Sequence, residues 1–256
     1  MSSCSQKVRF TLSQKGLEYK NINVDLHAGE NLQPAFLELN PKGVVPVLVD
    51  DGEIILESNS ICIYLDEEYP ETPLMPSTPK GRAAVRGLLQ HIDEQGHSDI
   101  GACTYTLAFA ERLRKTYDTP EKLAGYLASI PDAGKRVFRK NILAQGLKCV
   151  EFEVGLTRSA AMIARLDARL QSSDYLVGDQ LSIADIAYSP YITRLDHLAL
   201  SFIWKDMPAV SNWYARLRET KGYKEGIADF FNDEVIAGMR AAGQAAATEV
   251  AEILGI

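Results

Sequence analysis

Residues 39–52 read LNPKGVVPVLVDDG, and a conflict inside that stretch governs how its surroundings must fold. Residues 44–49 form an apolar run of strand type, yet Pro46 interrupts it, and proline has no N–H to give to a ladder. Such a segment belongs at a sheet edge or in an unusual conformation, where an extended peptide can pair with it; an ordinary edge-strand proline explains it as well. Upstream, Asn40-Pro41-Lys42-Gly43 is a turn cluster. Downstream, Asp50-Asp51-Gly52 predicts a hairpin returning through residues 53–56. From Ser58 the apolar residues Ile61, Ile63, Tyr64 and Leu65 predict a helix to Tyr69. Working back toward the N-terminus, residues 32–39 predict a short helix. Residues 19–26 alternate Ile22 and Val24 against polar neighbours as a half-buried strand does, and residues 5–15 predict a helix that Gly16 stops.

Residues 70–81, PETPLMPSTPKG, hold four prolines and break both periodicities, so the domain boundary is expected there, between residues 1–72 and 82–256. The first part mixes short strands and helices; the second is helical almost throughout. Residues 82–115 and 133–172 carry long helical patterns, with Met162, Leu166 and Leu170 at four-residue steps. Ser182 and Asp185 form a capping-box pattern that predicts a helix start. Residues 236–254 are Ala-rich without a strong apolar stripe and predict a loosely docked or partly ordered helix.

Composition narrows the function classes. The chain has 256 residues, 46% hydrophobic and 24% charged, which is globular rather than disordered. Nothing approaches the roughly 18–20 uninterrupted apolar residues of a membrane span, and MSSCSQKVRF has no signal-type apolar run. A cytoplasmic protein is expected. Cys4, Cys62, Cys103 and Cys149 stand singly, without metal-ligand spacing, so reduced thiols and no metal are expected. A formal charge of −7 argues against nucleic acid as a partner.

Candidate site residues lie at two predicted helix starts. Ser2, Ser3, Cys4 and Ser5 crowd the positive end of the first, a location that stabilises a thiolate, whether of Cys4 or of a bound molecule. Cys4 also fits a small packing residue. Glu57 and Ser58 open the later helix, whose unpaired N–H groups favour a carboxylate; Glu57 can accept from an ammonium group, and Ser58 also fits a simple cap.

The pieces SSCSQKVRFTLSQKGLEY, LNPKGVVPVLVDDG, LESNSICIYLDEEYP and YLVGDQLSIADIAYSP, in that order, resemble the glutathione transferase superfamily over residues 2 to about 223. The resemblance implies a thioredoxin-like N-terminal domain followed by an all-helical domain, an α/β plus all-α architecture. Because the chain begins directly on the SSC motif, that first domain is expected to lack its first strand, as in a truncated reading frame. Glutathione is the implied cosubstrate. Val45, beside a cis Pro46, would pair with its cysteinyl backbone, Glu57 and Ser58 would hold its γ-glutamyl end, and Lys42 would meet its glycyl carboxylate. Ser2 aligns with the serine of zeta-like enzymes, and Cys4 with the cysteine of bacterial glutathione-dependent reductive dehalogenases; Ser3 ranks below both. The long segment 104–150 is similar to the enlarged helical domain of bacterial β-aryl etherases. The expected activity is transfer of glutathione sulfur to a small hydrophobic electrophile by a homodimer acting in detoxification, with Tyr105, Phe109 and Tyr191 as candidate pocket lining or bundle core. The alternatives are a zeta-like cis–trans isomerase of maleyl diacids and a non-catalytic glutathione-binding or regulatory protein.

Overall fold

A computed structural model describes residues 2–26, 28–130 and 132–256. Helix α1 (Ser3–Lys15) ends at Gly16, whose φ of 72° is the left-handed C-cap that glycine adopts without strain. After α2 (Pro34–Leu39), strands β1 (Leu48–Asp50) and β2 (Glu53–Ile55) pair antiparallel, with Leu48 opposite Ile55 and Asp50 opposite Glu53. The Asp51-Gly52 turn joining them has positive φ at both residues, 46° and 87°, as a two-residue hairpin demands. Helix α3 (Ser58–Glu68) follows, and the proline-rich stretch is irregular until α4 (Pro79–His91) begins.

The expected strand over residues 19–26 does not form. Ile22 is 73% exposed and Leu26 is 45% exposed, and among the described residues the sheet has only β1 and β2. Alternation is a local property, whereas a strand is stable only when a neighbour completes its ladder and covers its apolar side. No such neighbour is present among the described residues, so the segment forms no ladder and stays largely uncovered. The run 44–49 likewise enters the ladder only at Leu48, beyond Pro46.

The remaining helices are α5 (His97–Thr104), α6 (Ala110–Thr116), α7 (Pro120–Ala128), α8 (Ala133–Gln145), α9 (Val150–Leu170), α10 (Ile183–His197), α11 (Pro208–Glu219), α12 (Lys221–Gly226), α13 (Asp233–Ala245) and α14 (Ala247–Leu254). Two π-helical turns, Ile92–Gly96 and Tyr105–Phe109, interrupt the α4–α6 run. Two compact units result: one comprises Met1–Gln90, Leu170–Pro190 and Asn212–Phe231, the other His91–Arg169, Tyr191–Ser211 and Asn232–Ile256.

In the first unit α12 packs on α1. Glycines at 222 and 226 permit this approach: a Cβ on Gly226 would lie 2.5 Å from the Phe10 nitrogen and 2.7 Å from the Arg9 carbonyl oxygen. Arg9 Nε in turn donates to the Gly226 carbonyl at 3.0 Å. The start of α10 is held by Asp185, which is wholly buried. Its Oδ1 accepts from the Leu176 N–H and the Trp213 indole, each at 2.8 Å. Its Oδ2 accepts from the Ser182 N–H at 2.9 Å and the Ser182 hydroxyl at 2.7 Å, the expected capping box. In the second unit the tail is two docked helices rather than a frayed one, with Met239, Gly243, Ala246 and Val250 buried. Gly243 sits so close to the Leu198 backbone that no Cβ would fit.

Candidate functional site

Ser2 caps α1. Its backbone is extended (φ −85°, ψ 123°), its Oγ accepts the Ser5 N–H at 3.3 Å and its carbonyl accepts the Gln6 N–H at 3.1 Å. Ser3 and Cys4 are then the first two helical residues, both half-buried, and Cys4 forms no disulfide. No acidic side chain occupies the first turn of α1, and none occupies the first turn of α3. The N-cap of α3 is nonetheless Glu57, whose carboxylate pairs with Lys42 instead of capping the helix, whereas α1 has only the neutral Ser2 at its start.

Three contacts fix how those two starts are related. Lys7 Nζ donates to Asn59 Oδ1 at 3.1 Å, the Thr11 hydroxyl to Cys62 Sγ at 3.2 Å, and Lys15 Nζ to Asp66 Oδ1 at 3.0 Å. Positions 7, 11 and 15 on α1 thus meet 59, 62 and 66 on α3, one turn at a time, so the helices run parallel and in step. One turn earlier, Ser2, Ser3 and Cys4 come level with the entry of the chain into α3 at Glu57 and Ser58. Two helix N-termini point to one end of this unit, an arrangement suited to a thiolate or a carboxylate.

The turn at residues 40–43 is built by Asn40. This side chain is 2% exposed; its Nδ2 donates to the Val44 carbonyl at 2.7 Å and its Oδ1 accepts the Lys42 N–H at 3.1 Å. Gly43, at φ 59°, donates its N–H to the Asn40 carbonyl at 2.8 Å. The Val45–Pro46 peptide is cis. Among the described residues, neither main-chain polar group of Val45 has a backbone partner, so both are available to an extended ligand.

Glu57 is held at φ 67° and ψ 114°, outside the basins a side-chain-bearing residue prefers, which costs about 1–3 kcal/mol. Ser58, the first residue of α3, is buried at 7% exposure. The Glu57 carboxylate accepts from Lys42 Nζ at 2.6 Å, and that hydrogen bond holds the Lys42 pKa above the ordinary ammonium value. Lys42 and Glu57, expected at opposite ends of a ligand, are thus joined to each other. Both side chains are mostly exposed, so the pair is weak and easily displaced by a ligand.

Several supporting residues have no motif to announce them. Lys7 is fully buried and Lys15 nearly so, although both occupy polar positions of an apparently amphipathic helix. Asp66 accepts from Lys15 and also from the Leu74 and Met75 N–H groups at 2.6 and 3.0 Å, tying the stretch after α3 to α1. Asp50 accepts from the Tyr64 and Tyr69 hydroxyls at 3.0 and 2.7 Å, and this bond pushes the Tyr69 pKa up to about 12. Only Asn40 carries a legible signal, the Asn-Pro turn. In the second unit Tyr191 lies in the core at 1% exposure, its hydroxyl 3.0 Å from His97 Nδ1. Tyr105 and Phe109 are half-buried and meet edge to face at 5.3 Å.

Family models for the glutathione S-transferase N-terminal and C-terminal domains match residues 1–73 and 144–216. A maleylacetoacetate isomerase of Pseudomonas aeruginosa is 47% identical over 90 residues, 34% of this chain and 42% of that protein. Glutathione S-transferase F10 of Arabidopsis thaliana is 28% identical over 229 residues, covering 88% of this chain and 93% of its own. Of the curated relatives it matches most significantly by short segments, the chain spans only 34% to 42% of the length. Among solved structures, the β-etherase LigF from Sphingobium sp. strain SYK-6 superposes with a TM-score of 0.78 over 88% of this chain and 95% of that one, at 24% identity. That likeness gives the fold: a thioredoxin-like first domain with a small sheet, and a mostly helical second.

Proposed function

We propose, from the fact that this chain belongs to the glutathione S-transferase superfamily, that it binds glutathione at the shared N-terminal end of α1 and α3 and transfers its sulfur to a small hydrophobic electrophile. The observation that carries the reading is the parallel α1–α3 pair, whose two helix starts lie at one end of the first unit, a unit that also contains the cis Val45–Pro46 peptide. Val45 would pair with the cysteinyl main chain, Ser58 and the α3 N-terminus would hold the γ-glutamyl carboxylate, Glu57 its ammonium, and Lys42 the glycyl carboxylate. At the start of α1 the Ser2 hydroxyl would donate to the sulfur. The helix dipole and that donor favour the thiolate over the thiol, whose proton passes to solvent. The thiolate then attacks the electrophilic carbon, a C–S bond forms, and the leaving group departs with its electron pair. For thiol exchange instead, the Cys4 thiolate would attack a disulfide that already carries glutathione, forming the Cys4–glutathione disulfide as the other sulfur leaves as a thiolate. Homodimerisation, a role in detoxification and a cytoplasmic site belong to this proposal; no helix of the described residues is long and apolar enough to cross a membrane.

A second reading is favoured by the 47% identity to an isomerase over 90 residues: glutathione addition to, and elimination from, a cis-diacid. The discriminating experiment compares wild type, Ser2→Ala and Cys4→Ala for glutathione affinity, conjugation of an activated aryl halide, and isomerisation of a maleyl diacid. Loss of conjugation with Ser2→Ala alone supports the transferase with serine as donor. Isomerisation without conjugation supports the second reading, and absence of glutathione binding in wild type refutes both.

A further inference from the structure

Among its described residues the second unit contains a cation with no counterion in contact. Arg139, on α8, is only 9% exposed, and its Nε and Nη1 are buried with no hydrogen-bond partner. Its guanidinium lies flat on the Tyr105 ring, 3.1 Å from the centroid, with Phe138 on another side at 5.7 Å. It also interacts with the Tyr126 hydroxyl, whose pKa burial pushes up and Arg139 pulls back. Stacking on aromatic faces stabilises a guanidinium, but it leaves the N–H donors unused. A buried charge with open donors is costly, and folded proteins keep such groups where something completes them. A second guanidinium, Arg194, is 6% exposed and also feels Tyr105; burial pushes its pKa down to about 10.

Two further features mark this place. Tyr105 opens a π-helical turn, Tyr105–Phe109, a distortion that concentrates at functional positions. Both α6 and α7 pack beside α8, and in α7 no residue is fully buried. Its Tyr126 stacks on Tyr117 at 4.3 Å rather than inserting into the core. A helix anchored so lightly opens at low cost compared with the helices around it.

We propose that Arg139 is the anchor of a binding site for an aromatic carboxylate, reached by displacement of α7. The carboxylate would take the open Nε and Nη1 donors, and its ring would lie among Tyr105, Tyr126 and Phe138. A guanidinium matches a planar carboxylate better than an ammonium group would, and the aromatic walls select an aryl over an alkyl acid. The site is argued from the second unit alone and does not rest on the transferase reading.

The test uses the full chain without glutathione, titrated calorimetrically with benzoate and with benzamide, its neutral analogue of nearly equal shape. Wild type is expected to bind benzoate at least tenfold more tightly than benzamide. Arg139→Met is expected to lose that preference while its ligand-free thermal midpoint stays equal or rises, since an incompletely partnered buried charge has been removed. Should the variant not fold, the Arg139 Nε–H resonance of the wild-type protein must still shift on benzoate addition and stay unmoved by benzamide. Equal affinity for the two ligands, an Arg139→Met protein that keeps the preference, or an unmoved resonance overturns the proposal. So does a sharp fall in the midpoint of Arg139→Met, which would make the guanidinium a structural cation held by the rings.

Discussion

Replacing Asp185 with alanine removes the acceptor of four hydrogen bonds at once, and the cost can be worked from the partners left behind. The Leu176 N–H, the Ser182 N–H and the Trp213 indole N–H all lose this acceptor, while the Ser182 hydroxyl can rotate. Each buried, unsatisfied donor costs about 1–3 kcal/mol, so three give about 3–9. Water entering the vacated space recovers part of this, and about 3–5 kcal/mol is the expectation. Asp185→Asn keeps one oxygen. If its amide nitrogen faces Ser182, the hydroxyl turns to accept and a single N–H is orphaned, for about 1–3 kcal/mol. Ser182→Ala removes only the hydroxyl contact, about 1 kcal/mol. Denaturant unfolding followed by circular dichroism and by tryptophan fluorescence should give the order Asp185→Ala, then Asp185→Asn, then Ser182→Ala. If the alanine and asparagine variants fall within about 0.5 kcal/mol of each other, satisfied donors are not what makes this residue matter, and the reasoning fails.

Glu57→Gly should relieve about 1–3 kcal/mol of backbone strain against a weak, exposed ion pair and a glycine entropy cost of about 0.5–1 kcal/mol. Thermal stability should therefore hold while glutathione affinity falls at least tenfold in titration; a parallel loss of stability would mean the conformation is not strained. Gly226→Ala, whose Cβ would strike the α1 backbone, should cost about 1–3 kcal/mol or more, whereas Gly87→Ala on α4, with nothing within 4 Å, should be neutral or stabilising by up to about 1 in the same unfolding assay. His91 Nε2 lies 2.9 Å from Arg165 Nη2, and burial, then Arg165, lower its pKa from the ordinary 6.5. Its folded value is depressed, so the stability it contributes is present above 6.5 and lost as pH falls through the folded value. Melting from pH 7.5 to about 5 should consequently lower the midpoint of wild type more than that of His91→Gln.

Where the sequence was legible, a residue type was forced by its own backbone. The turn at 40–43, the proline that ends the ladder, the hairpin at 51–52 and the helix starts at 58 and 182 depend on local dihedral preferences and on capping groups a few positions apart. The strand expected over 19–26 failed because alternation cannot reveal whether a neighbouring strand exists. The tail was misjudged for the opposite reason: α13 docks through Gly243 against backbone, and close approach by a small residue leaves no apolar stripe to read. Among the site's supports, Lys7, Lys15 and Asp66 look like ordinary surface charges. Their burial follows only from the pairing of α1 with α3, more than fifty residues away along the chain.

That pairing also separates two requirements that one helix would otherwise have to satisfy together. The contacts at Lys7, Thr11 and Lys15 aim α1, and none of them uses the residues of its first turn. The side chains at positions 2 to 5 can therefore be exchanged, hydroxyl for thiol or the reverse, without disturbing what aims the helix. On the proposed function, chemistry at this end would be interchangeable in the way a tool bit is in its chuck, and a shift between thiolate stabilisation and disulfide exchange would need one substitution instead of a refolded scaffold.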